Sequence, residues 1–333
     1  MAECEAQPLE DIYQEHCDHN FDSADKIVTF ILRLIVLAIS IYSSVLVLLI
    51  IKNSQKKQFW PFKLIICQVL SECVDLLLAL IFTINSSCWP KACKIIGYFM
   101  HSNWLASLIF MLFQCLIYFV LIRSEFLFNL IMKYLYIILA ILYLIPHGFL
   151  LRVLLDGGFG PSGWYLLNGE FNFIFCGFIN HQIVGFWIVP VSTLFFFSIL
   201  FSVFNCIYWH RLQNKKELRY PALRIQSILL FPLVYFLAWL INFLIRLHDT
   251  DSSEQNYCPQ DKMNFFFYIF YQVLNLGFEL HLTLGAILFF YIYKGLFGMT
   301  SLCDWICLRK RKQGKQKKKL IYQDQSIQAI QLK

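Results

Sequence analysis

Apolar residues fill this chain in long uninterrupted runs, separated by short stretches in which Lys, Arg, Asn, Gln and Pro collect. A helix needs about 20 apolar residues to cross about 30 Å of hydrocarbon. Seven segments reach that length, at about 27–51, 62–86, 95–122, 128–151, 183–209, 224–247 and 263–293. The separators are polar strings such as "KNSQKKQFWP" and "RLQNKKELRYP". None of the segments alternates strictly, and an open sheet would leave its edge groups unsatisfied in lipid, so helices are predicted rather than barrel strands. The predicted fold class is therefore an all-α membrane protein, a seven-transmembrane helix bundle. Pro146, Pro190 and Pro232 fall inside spans four, five and six, where each removes a backbone donor and predicts a kink.

Composition excludes a water-soluble reading. The 333 residues are 59% apolar and 15% charged, with 34 Phe and a mean hydropathy of +0.60, whereas soluble domains carry about 25% charged residues. No globular core hides that much apolar surface. Residues 1–26 form an acidic segment of their own, with eight acids between Glu3 and Asp25 and no apolar run. A cleavable leader is not expected, and the first span is expected to act as its own insertion signal.

Charge sets the expected orientation. With the amino terminus outside, the inner loops and tail hold 21 of the 28 basic residues, while the outer segments hold 14 of the 21 acids. Arg33 and Arg246 sit near outer span ends, where long side chains reach the headgroups. Six of the twelve cysteines fall on the predicted outer side: Cys4, Cys17, Cys88, Cys93, Cys176 and Cys258. An even number in an oxidising compartment suggests disulfides, with pairing left open. The other six, Cys67, Cys73, Cys115, Cys206, Cys303 and Cys307, read as small buried hydrophobes.

Four regions follow: the acidic segment 1–26, the bundle 27–293, a short amphipathic helix over 294–308 after the last span, and a basic cytoplasmic tail over 309–333. In "KGLFGMTSLCDWICLRKRK" the apolar residues are expected toward lipid, with Cys303 and Cys307 placed for paired palmitoylation. Eight basic residues between Arg309 and Lys319 predict a clamp on the anionic inner leaflet. Asn85-Ser86-Ser87 is a glycosylation sequon at the outer end of span two.

Polar residues inside the spans form stripes. Gln68, Ser71, Glu72 and Asp75 share one helical face of span two; Asn103, Ser107 and Gln114 share one of span three; Gln272, Asn275 and Glu279 share one of span seven. Polar groups are costly in hydrocarbon, so these faces are expected to point inward as a network. Structural hydrogen-bond glue between helices is the simpler reading of any one of them. Glu72, Asp75 and Glu279 have no Lys or Arg at similar depth. Three such carboxylates cannot all stay ionised in a low-dielectric interior, which predicts a protonated group or a bound cation among them.

Several strings carry a family resemblance. Span three opens "CKIIGYFMHSNWLASLIFMLF", with a leading Cys93 and then Leu105, Ala106 and Ser107; the second span is entered through "FWPFKLIICQVLSECVD"; span six places Pro232, Trp239, Asn242 and Arg246 in order. These resemble the cyclic-AMP-receptor-like and secretin-like groups of G-protein-coupled receptors, over most of residues 27–308. The chain departs from the pattern where Cys176 is followed by Gly177 rather than Trp, and where Pro146 lacks a preceding Gly-Trp. It has neither the Asp-Arg-Tyr after span three nor the Asn-Pro-x-x-Tyr of span seven that mark rhodopsin-type receptors.

The resemblance implies a receptor for an extracellular ligand, coupled to a heterotrimeric G protein. It also implies a Cys93–Cys176 bridge, with Cys88 and Cys258 as alternative partners. A ligand site is then expected in the outer half of the bundle, near His101, Trp104 and Gln182 and near Trp239, Asn242, Arg246 and Gln272. Arg246 at the rim would suit an anionic ligand, with headgroup snorkelling or pairing with the acidic third outer loop as the alternative. Arg123, Arg211, Lys215 and Lys216 would form the G-protein face, although basic inner loops occur in every polytopic protein.

Other classes fit less well. The chain has no His-rich metal spacing, Gly-rich phosphate loop or nucleophile elbow, so neither catalysis nor a cofactor is expected. Span seven has no lysine at mid-membrane for a retinal. Nucleic acid is not expected as a partner of the basic tail. The intramembrane carboxylates keep a heptahelical proton, ion or small-solute transporter as the second reading.

Overall fold

The computed structural model describes residues 24–53, 60–84, 90–162, 165–167, 170–172, 175–178, 184–214, 240 and 281–293. These residues are almost entirely helical. Helices α1 (Ala24–Asn53), α2 (Trp60–Ile84) and α3 (Pro90–Arg123) correspond to the first three predicted spans, each a few residues longer at one or both ends. After them come a short α4 (Glu125–Lys133), then α5 (Leu135–Leu155), α6 (Val189–Asn214) and α7 (His281–Tyr293). Five helices are long and apolar enough to cross a membrane, over Phe30–Lys52, Phe62–Ile81, Ala92–Leu121, Leu135–Leu155 and Gly185–Tyr208. The chain is thus a multi-pass helical membrane protein. Span six and the first part of span seven lie outside the described residues, as do Pro232, Asn85, the segment 1–23, and the amphipathic helix and tail from 294 onward.

α3 is the hub. It packs against α2, α5 and α6 and meets the ribbon described below, while α1 packs on α2 and α7 packs on α1. The contacts are apolar in the main, with Phe62 of α2 edge-on to Phe289 of α7 at 6.0 Å between centroids. A polar contact, Ser40 to Thr283 at 3.3 Å, ties α1 to α7. Residues such as Ile31, Ile35 and Tyr42 on α1 and Phe196 on α6 remain exposed, which is the pattern of a lipid-facing surface.

Three features depart from the expectations. Span four was expected at 128–151 but is α5, Leu135–Leu155. The apolar residues before it belong to α4, which Ser124 caps by accepting a hydrogen bond from the Leu127 backbone N–H at 3.3 Å. Glu125 in the first turn and Lys133 in the last complement the dipole of that helix. Pro146 lies within α5 and is buried, as expected. Pro190 lies inside the Gly185–Tyr208 span, as expected, but as the second residue of α6, directly after a π turn over Val184–Ile188. A proline cannot close an α turn onto the preceding residues, and the wider turn absorbs the misfit. α6 also runs on to Asn214, so Arg211, expected in a loop, is helical.

The third departure is a small β ribbon in a fold expected to be wholly α. β1 (Phe159–Ser162) pairs antiparallel with β4 (Phe175–Phe178), and β2 (Tyr165–Leu167) pairs with β3 (Glu170–Asn172) inside it. Gly157 starts the exit from α5 at φ 74, where a side chain would be strained. Its N–H and that of Gly158 reach back to the Leu154 and Val153 carbonyls at 3.1 and 2.8 Å, closing the helix end. The outer rungs then lie across α3.

Candidate functional site

Two sets of side chains gather around α3: a ring of aromatics beneath the ribbon and a polar layer deeper in the bundle. The aromatic ring is centred on His101, which is fully buried. Its imidazole stands 4.7 Å from the Phe178 ring, 4.8 Å from Trp187, 4.9 Å from Trp104 and 5.8 Å from Phe159, centroid to centroid. Nδ1 of His101 meets the Gly97 carbonyl at 2.8 Å, the turn before it on the same helix. Phe159 and Phe178 face each other across the outer rung of the ribbon, and Trp187 comes from the π turn that leads into α6. The ribbon therefore covers His101 with apolar rings.

The polar layer joins α2, α3 and α5. Glu72 accepts from Ser107 Oγ of α3 at 2.5 Å and from Gln68 Nε2 of its own helix at 3.3 Å, both at Oε1. Ser71 Oγ donates to the Asn103 backbone carbonyl at 3.2 Å, so α2 grips α3 at two successive levels. On the other side, Tyr143 of α5 donates to Asn103 Oδ1 at 2.9 Å, and Tyr98 donates to the His147 carbonyl at 3.0 Å. Asp75, 5% exposed, faces Asn103 and Trp104. Neither of its oxygens has a hydrogen-bond partner among the described residues. Gln114 is buried two turns further along α3.

Beyond that, α3 is held to α6. Asn205 Nδ2 donates to the Cys115 carbonyl at 2.9 Å, and the Cys115 thiol lies 3.5 Å from Ser202 Oγ. At the end of α3, Arg123 is exposed and lies 5.1 Å from the Phe119 ring centroid and 5.4 Å from that of Tyr208 on α6. No protein-family model matches the chain, and no curated protein matches it.

The sequence-derived sites fare unequally. The stripes of spans two and three do face each other, with Glu72, Asp75, Asn103 and Ser107 in one layer. His101 and Trp104 lie together under the ribbon. Cys93 is buried in the first turn of α3, and Cys176 is in β4, which packs on that helix. Gln182, Trp239, Asn242, Arg246, Gln272, Asn275, Glu279, Lys215, Lys216, Cys303 and Cys307 lie outside the described residues. Tyr98, Tyr143 and Trp187 were not anticipated as site residues. Nor was the α6 stripe of Ser198, Ser202 and Asn205, although its i, i+4, i+7 spacing is plain in the sequence.

Among the described residues no group of His, Cys, Asp and Glu is arranged to hold a metal ion. Serine, tyrosine and asparagine contacts exchange partners when helices slide, and polar bonds between membrane helices are of moderate strength, about 1 kcal/mol each.

Proposed function

We propose that the chain is a seven-span receptor of the cyclic-AMP-receptor-like or secretin-like kind, in which an extracellular ligand shifts the helix bundle and a cytoplasmic G protein reads the shift. The observation that carries this reading is the course of α3. A single helix of 34 residues, Pro90–Arg123, runs from beneath the ribbon through the polar layer to a basic end, touching α2, α5 and α6 on the way. In this reading the amino terminus and the ribbon are outside, where the acids collect, and Arg123 is inside, where Lys and Arg collect. The segments 224–247 and 263–293 supply spans six and seven. The helix His281–Tyr293 against α1 supports the second of these.

A ligand that reseats the ribbon bears directly on His101 and Trp104. Displacement of α3 then changes the Ser107–Glu72 and Ser71–Asn103 contacts on one side and the Cys115–Asn205 contact on the other. α6 transmits the change to Arg211, and beyond it to Lys215 and Lys216, the proposed docking face for the G protein. Such a device works by population shift, so the ligand must bind the active arrangement better than the resting one.

A Cys93–Cys176 bridge belongs to the same reading. Its support is that Cys93 is buried in the first turn of α3, that β4 with Cys176 packs on α3, and that Cys67, Cys73, Cys115 and Cys206 are free. Cys93→Ala is expected to lower stability by about 2–4 kcal/mol, whereas Cys67→Ala leaves it nearly unchanged. Thermal unfolding in detergent, with and without reductant, checks this; equal stability of the two variants would exclude the bridge.

One observation favours a transporter instead: the buried Asp75 carboxylate without a hydrogen bond among the described residues, in the manner of a group that a proton or ion occupies in turn. A paired assay on the same proteoliposomes separates the two readings. The receptor reading expects nucleotide exchange on added heterotrimeric G protein and no proton or sodium flux under an imposed gradient. Flux without exchange would reverse the assignment.

A further inference from the structure

α4 carries two apolar faces, and only one of them is used. Phe128, with Ile131 and Met132, packs into the cluster formed by Tyr118, Leu121 and Leu139. Phe126, Leu127 and Leu130 on the other side are bare, at 76%, 47% and 44% exposure. That bare face does not end with the helix. From Leu130 it continues through Tyr134 to the exposed Ile137, Ile141 and Leu144 of α5, at alternating steps of four and three residues. α5 is one of the helices built to cross a membrane, so its exposed stripe meets lipid, and α4 extends that stripe past the end of the span.

Charge is arranged beside this face in the manner of a membrane boundary. Lys63, in the first turn of α2, holds its ammonium 5.0 Å from the centroid of the exposed Tyr136 ring. Lys133, in the last turn of α4, stands 5.4 Å from the Tyr134 ring. Tyrosine rings at the interface with lysines reaching past them toward phosphate are the usual anchors of membrane proteins. No carboxylate among the described residues forms an ion pair with either lysine.

We propose that α4 and the adjoining starts of α2 and α5 form a binding site for an anionic phospholipid. Phe126, Leu127 and Leu130 enter the acyl-chain boundary, and Lys63 and Lys133 hold the headgroup phosphate. Continuity with the lipid-facing stripe of α5 favours a lipid over a protein as the occupant. The inference rests on the membrane spans alone and does not require the receptor reading.

Two measurements test it on the full chain in nanodiscs. An environment-sensitive fluorescent amino acid in place of Phe126 should be quenched by brominated acyl chains and shielded from iodide, with no other protein present. Quenching by iodide that stops only when a protein partner is added would overturn the proposal in favour of a protein surface. Native mass spectrometry should find phosphatidylserine retained in preference to phosphatidylcholine. Retention should fall roughly tenfold or more in Lys63→Gln/Lys133→Gln, because each lysine near an anionic surface contributes substantially. It should be unchanged in Lys94→Gln, on the exposed side near the ribbon. Equal retention by wild type and the double variant would overturn the headgroup assignment, and the Phe126 measurement stands even if that variant folds poorly.

Discussion

Trp187→Ala is expected to lower stability by about 3–5 kcal/mol, the cost of emptying a packed aromatic site. Trp187 is 1% exposed, and its ring stands 4.8 Å from His101, 5.7 Å from Trp104 and 6.0 Å from Phe178. It is therefore the piece that joins the start of α6, the upper part of α3 and the ribbon. Its loss leaves a cavity that none of these rigid elements can fill alone, since the ribbon is tied to the end of α5 and the π turn is tied to α6. Trp187→Phe should retain most of the stability, because a smaller ring still touches His101. Chemical or thermal unfolding in detergent gives the magnitude. Hydrogen exchange should show the amides of Phe159–Ser162 and Phe175–Phe178 protected in wild type and released in the alanine variant. Unchanged protection there would mean that the ribbon is held by something other than the aromatic ring beneath it.

Asn103→Leu is expected to cost about 1–3 kcal/mol. Asn103 is fully buried and takes part in the layer twice: its side-chain carbonyl accepts from Tyr143, and its backbone carbonyl accepts from Ser71. Leucine keeps the backbone contact and strands the Tyr143 hydroxyl. Tyr143→Phe removes the donor instead and leaves the amide oxygen open. The double variant strands neither group, so its loss should be smaller than the sum of the single losses by about 0.5–3 kcal/mol. Strict additivity in that cycle would show that the α3–α5 bond carries no coupling, and the polar layer would then be inert glue. If the layer also transmits the ligand signal, Asn103→Leu changes basal nucleotide exchange as well as stability.

These two sites differ in how far the sequence alone disclosed them. The stripes on α2 and α3 were legible because a polar residue in a long apolar run has no reason to face lipid. Their i, i+3, i+4 and i+7 spacing sets them on one side of a helix. Glu72 meeting Ser107 follows from two such faces turning inward. Tyr143 and Tyr98 were not legible, because a tyrosine in an apolar span reads equally as an interface anchor, and periodicity does not say which helix lies opposite. Trp187 was hidden for a similar reason: its neighbours on α3 and the ribbon are distant in sequence.

The boundaries show the same division. Spans one to three were placed within a few residues because charge and proline flank clean apolar runs. Span four was misplaced because Phe128 to Met132 are as apolar as a span, and hydropathy does not show the break between α4 and α5 at Tyr134. The signals of a separate helix were present, in the Ser124 cap and Glu125 just after it. The ribbon had its turn residues, Gly157 and Gly158 among them, but strands this short leave no readable alternation.

The central claim is that the basic end of the bundle drives nucleotide exchange on a G protein, and exchange itself tests it most directly. Wild type and Arg211→Ala/Lys215→Ala/Lys216→Ala are to be reconstituted at equal, correctly oriented density with heterotrimeric G protein, and guanine-nucleotide exchange followed with time. The account predicts exchange above the protein-free rate for wild type, lost in the triple variant while its thermal stability is retained. Exchange at the protein-free rate for wild type across the G-protein classes, or equal exchange by wild type and variant, would contradict it.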